Sequence, residues 1–599
     1  MTRRLVAALA VAMATLLTGC GWGGLPASGP VVEGRALSEV LGEQVRVVAQ
    51  APVDGSSQDA VVRGFLRAGE DNDDTHATGK LFLAPQSVDL WRWSSDEVVV
   101  YDGDLTIRPL DDDTVRVSAS VLARLGPDGR YVEQEPGTRQ EITLGLTKVG
   151  GEWRIELPRK GFGLWLDSDQ FSRVYTNRFI YYITPNSRDL VPDSRWFPNG
   201  SRLATTLARA QLSAVPDHLK GAVTTGVPPG TQLAVNAVPV ENGTALVNLS
   251  SQALSAGPAD RAAMWAQLTK TLLQISPVNA VALSVDNTPL ELSDGVTSVS
   301  TSSELGYDVV PRSTLDTALV RRGDTIQRID PRFVPDTGAA KRPDLDPQDG
   351  DVERIPDLWR SLALSVDGKQ VAAISRDLRD LSIWRATEPT RTLAPFATGL
   401  TKPVYDADGY LWIGGADHEG DDRVFVLDSV SSDPDAAPKA IHAPWLEGRR
   451  VVELSVSADA ARALVVTTAL NGSDVQLGLS GIVRATNGEP TALAQPLRQA
   501  QSLGVIEDVT WLDPLNYAVL GKVRERDVMR PWLGTLGAGV DGALRESGRL
   551  GQVPGAASIT TVGGPRGIII VTSDDRVLAR AGSTWRRIVQ GSDVLVPGG

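Results

Sequence analysis

The sequence predicts a multidomain protein, α+β in its first half and all-β in its second, ending in a β-propeller of about six blades. Three observations predict it. The chain has 599 residues, several times what one hydrophobic core needs at about 150 residues per domain. In the first half the apolar residues switch between helical spacing and strict alternation, the marks of helices and half-buried strands. Beyond residue 300, strand-turn-strand units recur at 41, 51 and 54 residues, the period of blades that bury their faces only against one another.

Composition narrows the function classes. With 42% hydrophobic and 22% charged residues the chain is of ordinary globular composition. The net charge of -14 is spread along it, and no block of five or six lysines and arginines occurs that tracks a phosphate backbone. Nucleic acid is therefore set aside as a partner. One cysteine allows no intramolecular disulfide and no Cys-based zinc site, so its position carries its meaning. The four histidines, His76, His218, His418 and His442, fall in separate segments rather than at ligand spacing.

The first element is an export signal. Arg3 and Arg4 precede an apolar run of thirteen residues, 5–17, too short for a bilayer that takes about 20. The run ends Leu17-Thr18-Gly19-Cys20, which resembles the lipobox of bacterial lipoprotein precursors. That resemblance implies a signal peptide over residues 1–19, cleaved to leave Cys20 as a diacylglyceryl-bearing N-terminus on the extracytoplasmic face of the cell membrane. Two acyl chains anchor stably where one anchors marginally. Residues 20–50 follow as a tether, opening with Gly21, Gly23, Gly24, Pro26, Gly29 and Pro30, which resist regular structure.

Residues 51–170 form the first domain. From residue 59 to 91 the pattern is helical, with Val61, Val62, Phe65 and Leu66 on one face and Leu81, Phe82 and Leu83 as a second apolar cluster. Strands then take over. Val115, Val117, Ala119, Val121 and Ala123 alternate with polar neighbours, and Ile142, Leu144 and Leu146 repeat the pattern before Gly150-Gly151 turns into Trp153 and Ile155. Helix first, then a curved antiparallel sheet ending in Gly-Glu-Trp-Arg-Ile, resembles the NTF2-like fold.

Residues 171–300 form the second domain. Asn242-Gly243 between apolar strands is a tight-turn signal, because both positions must tolerate positive φ. Met264, Leu268, Leu272 and Ile275 paint one helical stripe, core for the sheet formed by this hairpin and by Val281, Leu283 and Val285. The stretches Val227-Pro228-Pro229-Gly230-Thr231 and Val240 through Ser250 resemble the GerMN family of sporulation and germination proteins. That family commonly has aspartate where Asn248 stands.

Residues 301–599 form the propeller. Leu362 through Ile374 reads as strand, Asp367-Gly368 turn, strand, and similar units surround Asp408-Gly409, Asp459 and Asp513, with a further pair after Gly563-Gly564. The first resembles the Ser-x-Asp-Gly repeats of TolB-type propellers. Strands flanking Gly323 are placed to complete the final blade, which makes the acidic, proline-rich residues 330–356 a connecting excursion.

Catalytic motifs are sparse. Gly537-Ala538-Gly539-Val540-Asp541-Gly542 satisfies G-x-G-x-x-G but lies among propeller repeats without a strand-turn-helix setting, and reads as a hairpin turn. No P-loop, G-x-S-x-G or H-E-x-x-H occurs. Asp417-His418-Glu419-Gly420-Asp421-Asp422 has metal-site residues in a contiguous loop, which reads as a solvated connection. Glu70 through Asp74 begins like a calcium loop, but His76 and Phe82 stand where an EF-hand needs glycine and glutamate. Asp111-Asp112-Asp113 reads as an exposed turn. No catalytic residue, metal or cofactor is expected.

The ordered combination of lipobox, NTF2-like unit, GerMN unit and propeller resembles the actinobacterial LpqB lipoprotein family. The resemblance implies a noncatalytic lipoprotein acting on the extracytoplasmic part of the sensor kinase MtrB, in the MtrAB two-component system, and so on cell-envelope homeostasis. Two rivals stand beside it: a receptor for a wall glycan or peptide, marked by an aromatic-rich groove, and a propeller hydrolase, marked by carboxylates and histidine converging in the channel.

Overall fold

The computed structural model describes residues 49–70, 76–91, 97–292, 295–311, 318–329, 354–385, 388–431, 433, 436–540 and 550–598. The helix Gln58–Ala68 begins where the Ser57 hydroxyl accepts the Ala60 amide at 3.3 Å, and it buries Val61, Val62, Phe65 and Leu66, the face its spacing predicted. It does not run on to residue 91. Gly69 closes it, and the chain continues as a short helix Ala77–Lys80 and a 3-10 turn Pro85–Leu90. The second apolar cluster is therefore split, with Phe82 and Leu83 buried and Leu81 54% exposed.

The helix packs on a curled sheet ordered Glu152–Glu156, Arg139–Val149, Thr114–Leu125, Val98–Pro109 and Leu164–Asp167, with Tyr131–Glu133 paired to Thr114–Leu125. The alternation over residues 115–123 buries Val115, Val117, Ala119, Val121 and Ala123 as expected. The sheet does not end at Glu-Trp-Arg-Ile. Leu164–Asp167 adds a strand parallel to Val98–Pro109, with Val98 opposite Leu164.

In the next stretch the antiparallel pair Tyr175–Ile183 and Leu190–Pro198 is followed by a four-stranded sheet ordered Thr288–Pro289, Ala280–Val285, Thr244–Leu249, Val240–Glu241. Its central strands are parallel, with Val247 opposite Leu283. Asn242 and Gly243 adopt φ of 50° and 81°, the turn their identities required. The helix Pro258–Leu272 buries Met264, Leu268 and Leu272 completely, while Ile275 lies past its end. It is buried on more than that stripe, because it touches both the sheet and the Tyr175–Ile183 strand. Gln267 makes this possible by accepting the Gly226 amide at 2.8 Å and donating to the Tyr181 carbonyl at 2.6 Å.

The remaining described residues form six sheets; five follow one another in sequence order and adjoin through their first strands, and the sixth adjoins its neighbours through the C-terminal strand Asp593–Leu595. The pair Ala318–Arg322 and Thr325–Ile329, the strands expected beside Gly323, joins the C-terminal strand Asp593–Leu595 and closes the ring. Most of the intervening excursion, residues 330–353, lies outside the described residues. A repeated clamp shapes the turns. Ser365 donates to Asp367, Ser375 to Asp377 and Thr572 to Asp574, each at 2.6 Å, and Gly368 supplies φ of +74° at the first.

Candidate functional site

The lipobox residues Leu17, Thr18, Gly19 and Cys20 lie outside the described residues. Of the acidic propeller loop, the carboxylates of Asp417, Glu419 and Asp421 come within 4.8 Å of one another, without His418. Asp417 is engaged in its own turn, accepting the Glu419 amide at 2.9 Å and the Asp421 amide at 3.0 Å, and Arg423 pairs with both Asp417 and Asp421. The loop is built like the Asx turns elsewhere in the propeller. Asp111 likewise accepts the Thr114 hydroxyl at 2.6 Å in the turn between two strands.

The glycine motif at Gly537 is a hairpin, with Arg530–Thr535 pairing to Gly539–Val540. Its glycines have a further cause, visible only in the fold. The Gly537 carbonyl accepts the Trp196 indole N–H at 2.7 Å, and a Cβ at Gly537 lies 2.9 Å from the Ser194 hydroxyl. Glu133 presses on Gly539 and accepts the Gln501 amide at 2.9 Å. The hairpin is thus a seat on which both earlier parts of the chain rest.

The strand Leu190–Pro198 is the centre of that seam and is buried along all but its last residue. The Trp196 amide donates to the Gly129 carbonyl at 2.7 Å, and its ring lies 4.8 Å from Phe171 and 5.9 Å from Tyr131. From the propeller, Arg462 donates to the Pro192 carbonyl at 3.3 Å. Inside the strand, Asp193 accepts from Arg195 Nε at 2.9 Å and contacts His218 Nε2 at 3.1 Å. Burial alone raises the Asp193 carboxyl, but Arg195 and His218 outweigh it and hold the group well below the usual range. Arg195 also donates to the Tyr182 hydroxyl at 3.0 Å. These groups satisfy one another.

A second charged group sits among the first strands of the propeller. Arg449–Val456 and Val505–Trp511 each carry a register shift, just before Glu453 and just before Asp508, and similar irregularities break Trp359–Leu364 and Ala556–Thr561. Glu453 and Asp508 are only 8% and 4% exposed. Asp508 ties its sheet to the next, accepting the Ile559 amide at 2.8 Å, as Asp593 does with Leu362 at 3.5 Å. Burial pushes the Glu453 carboxyl well above its usual range, the charge of Asp508 raises it further, and Lys402 counteracts both. Burial raises Asp508 too. Carboxylates therefore converge here with a lysine, and histidine does not. His418 and His442 are exposed, while His76 and His218 belong to the earlier parts.

Three family descriptions match consecutive stretches: "Lipoprotein LpqB, N-terminal domain" over residues 51–172, "Sporulation and spore germination" over 179–291, and "Lipoprotein LpqB beta-propeller domain" over 344–597. A Lipoprotein LpqB of Thermobifida fusca is 29% identical, covering 99% of each chain. The chain belongs to the LpqB lipoprotein family. Another member, from Cutibacterium acnes, is 25% identical over 97% of each chain. The first GerMN domain of the Bacillus subtilis sporulation protein GerM aligns to 21% of this chain and 94% of its own, at 22% identity and a TM-score of 0.17.

Relatives in the LpqB family are named lipoproteins, and among the described residues no helix is long and apolar enough to cross a membrane. Sequence reasoning missed Glu453 and Asp508, and also the Asp193 cluster. Their signal was a carboxylate inside an otherwise apolar strand, as in Val451-Val452-Glu453-Leu454, recurring just after the register shift of successive blades. Such a residue reads as an exposed strand position until the ring brings its neighbours.

Proposed function

We propose that the chain is a noncatalytic lipoprotein held on the extracytoplasmic face of the cell membrane by a diacylglyceryl group on Cys20, acting by protein contact on the outer part of the sensor kinase MtrB. Residues 1–19 serve as signal peptide, 20–50 as tether, 51–170 as an NTF2-like domain, 171–300 as the GerMN domain and 301–599 as the propeller. The observation that carries this reading is the match of the first and last folded parts to LpqB domains, with the sporulation and spore germination match between them and LpqB relatives aligned over essentially the whole chain. The pairing of Asp193, Arg195 and His218 with one another fits a structural role for that cluster.

A tethered ligand acts at high effective concentration, so a weak contact with a neighbour in the same membrane is occupied. Chain order puts the tether next to the first domain, which assigns the kinase contact to the first two domains. Two experiments test this. Cys20→Ala is expected to release the protein from washed membranes while leaving it folded; retention after high-salt washing in cells lacking MtrB overturns the anchor. Photo-crosslinkers at exposed Val149 and Val235 of the full-length chain are expected to capture MtrB, and one at exposed Val528 of the propeller is not. Capture through Val528 alone reverses the assignment.

A further inference from the structure

One sheet of the propeller departs from the repeat. In the four-stranded sheets of the propeller a single outer strand pairs with the third strand. In this sheet the third strand, Gln476–Arg484, has two outer partners. Leu497–Gln499 pairs with its beginning, Leu477 opposite Gln499, and Pro490–Leu493 with its end, Ile482 opposite Leu493. The chain between these partners crosses the edge at Gln495 and Pro496. A cavity of about 240 Å³ opens where it crosses.

We propose that this cavity binds a single saccharide ring bearing a carboxylate. Its wall combines Trp445, Arg449, Gln476, Gln495, Pro496 and Arg498. The two arginines differ. Arg449 is fixed, donating to the Thr467 hydroxyl at 2.8 Å, to the Asp474 carboxylate at 2.7 Å and to the Asp474 carbonyl at 2.6 Å. Its charge is matched by Asp474. Arg498 faces Glu135 of the first domain across 3.8 Å, and the two side chains are 43% and 73% exposed. So loose and exposed a pair holds little energy, which leaves this guanidinium able to turn to a ligand carboxylate.

The carboxamides add uncommitted polar groups. Gln476 donates to Asp474 at 2.7 Å, leaving its oxygen as an acceptor, and Gln495 makes no hydrogen bond among the described residues. An indole, one available guanidinium and two planar amides suit a ring with an apolar face, hydroxyl edges and one negative charge. At about 240 Å³ the space falls below the roughly 300–1,000 Å³ of sites for drug-sized ligands, which fits one ring rather than an extended chain. Gly478 is part of the construction, because a Cβ there lies 2.8 Å from Pro496 and forces the crossing segment out of place. The inference does not rest on the anchor or the kinase contact.

Saturation-transfer NMR on the full-length protein in detergent tests it, with methyl β-glucuronide and methyl β-glucoside as probes that differ in the carboxylate. The glucuronide is expected to bind about tenfold more tightly, the scale of one charge-assisted contact. Arg498→Gln, at an exposed position, is expected to remove that preference without altering the melting temperature, and Trp445→Ala to weaken both probes. No transfer from either probe overturns the proposal, as does transfer unchanged in both variants. Competition by acetate as effective as by the glucuronide also overturns it, since the site then reads an anion and no sugar.

Discussion

Glu70 stands just past the first helix, half-buried, accepting from Gln170 Nε2 at 2.5 Å in a neighbourhood that contains Asp167. Burial is the largest influence on its carboxyl and Asp167 adds to it, so the group is pushed up to about 7 against the partial opposition of Arg67 and Arg173. A carboxyl with a higher pKa folded than unfolded binds more protons when folded. Its contribution to stability is therefore full below the unfolded value of 4.5 and is lost as pH rises through about 7. Glu70→Gln mimics the protonated form. The variant is expected to melt higher than the parent at pH 8 and no higher at pH 4.5, so that its melting temperature falls less as pH is raised over that interval. Equal slopes in thermal melts of the two proteins contradict this account of Glu70.

The strand Leu190–Pro198 shows at the next scale how a polar segment comes to be buried. Asp193 and Arg195 lie on one side of it, two residues apart, and are paired with His218 and Tyr182. Removing one charge leaves the other buried without a counter-charge, so Asp193→Asn is expected to cost about 3–5 kcal/mol in denaturant unfolding. A loss below about 1 kcal/mol means that Arg195 finds another acceptor there. Elements with local patterns were legible in the sequence. Alternation over residues 115–123, the Met264 to Leu272 stripe, the Asn242-Gly243 turn and the strands beside Gly323 each carry their own period or turn chemistry. Elements whose character comes from distant partners were not. The break after Ala68 did have a local signal, the glycine at position 69 that closes the helix, whereas Leu164–Asp167 is a strand because Val98–Pro109 lies beside it. The channel carboxylates and the split outer strand were hidden for the same reason. Each depends on which blade stands next in the ring, or on a chain crossing that lies 11 residues past the end of the strand it serves, as Gln495 does for Gln476–Arg484.

For the whole molecule, the seam determines whether the parts from Val48 to Gly599 act separately or as one compact unit. Trp196 bonds the first part through Gly129 and the propeller through Gly537, Glu133 reaches Gln501, and Arg462 reaches Pro192. All four contacts involve backbone groups, so they hold a fixed register rather than a soft surface. Two of them, those of Trp196 to Gly537 and of Glu133 to Gln501, flank a hairpin whose glycines admit no side chain on that face. Units joined so closely are expected to unfold together, and calorimetry of the protein should show one transition. Gly537→Val attacks the junction without entering any of the three cores. At φ of +66° a β-branched residue costs about 1–2 kcal/mol in backbone strain, and its Cβ meets the Ser194 hydroxyl at 2.9 Å. The expected result is a separate propeller transition, with the transitions of the first two parts lowered because Trp196 has lost its seat. If the variant instead keeps a single transition at the parental temperature, the hairpin is not what couples the propeller to the rest of the chain.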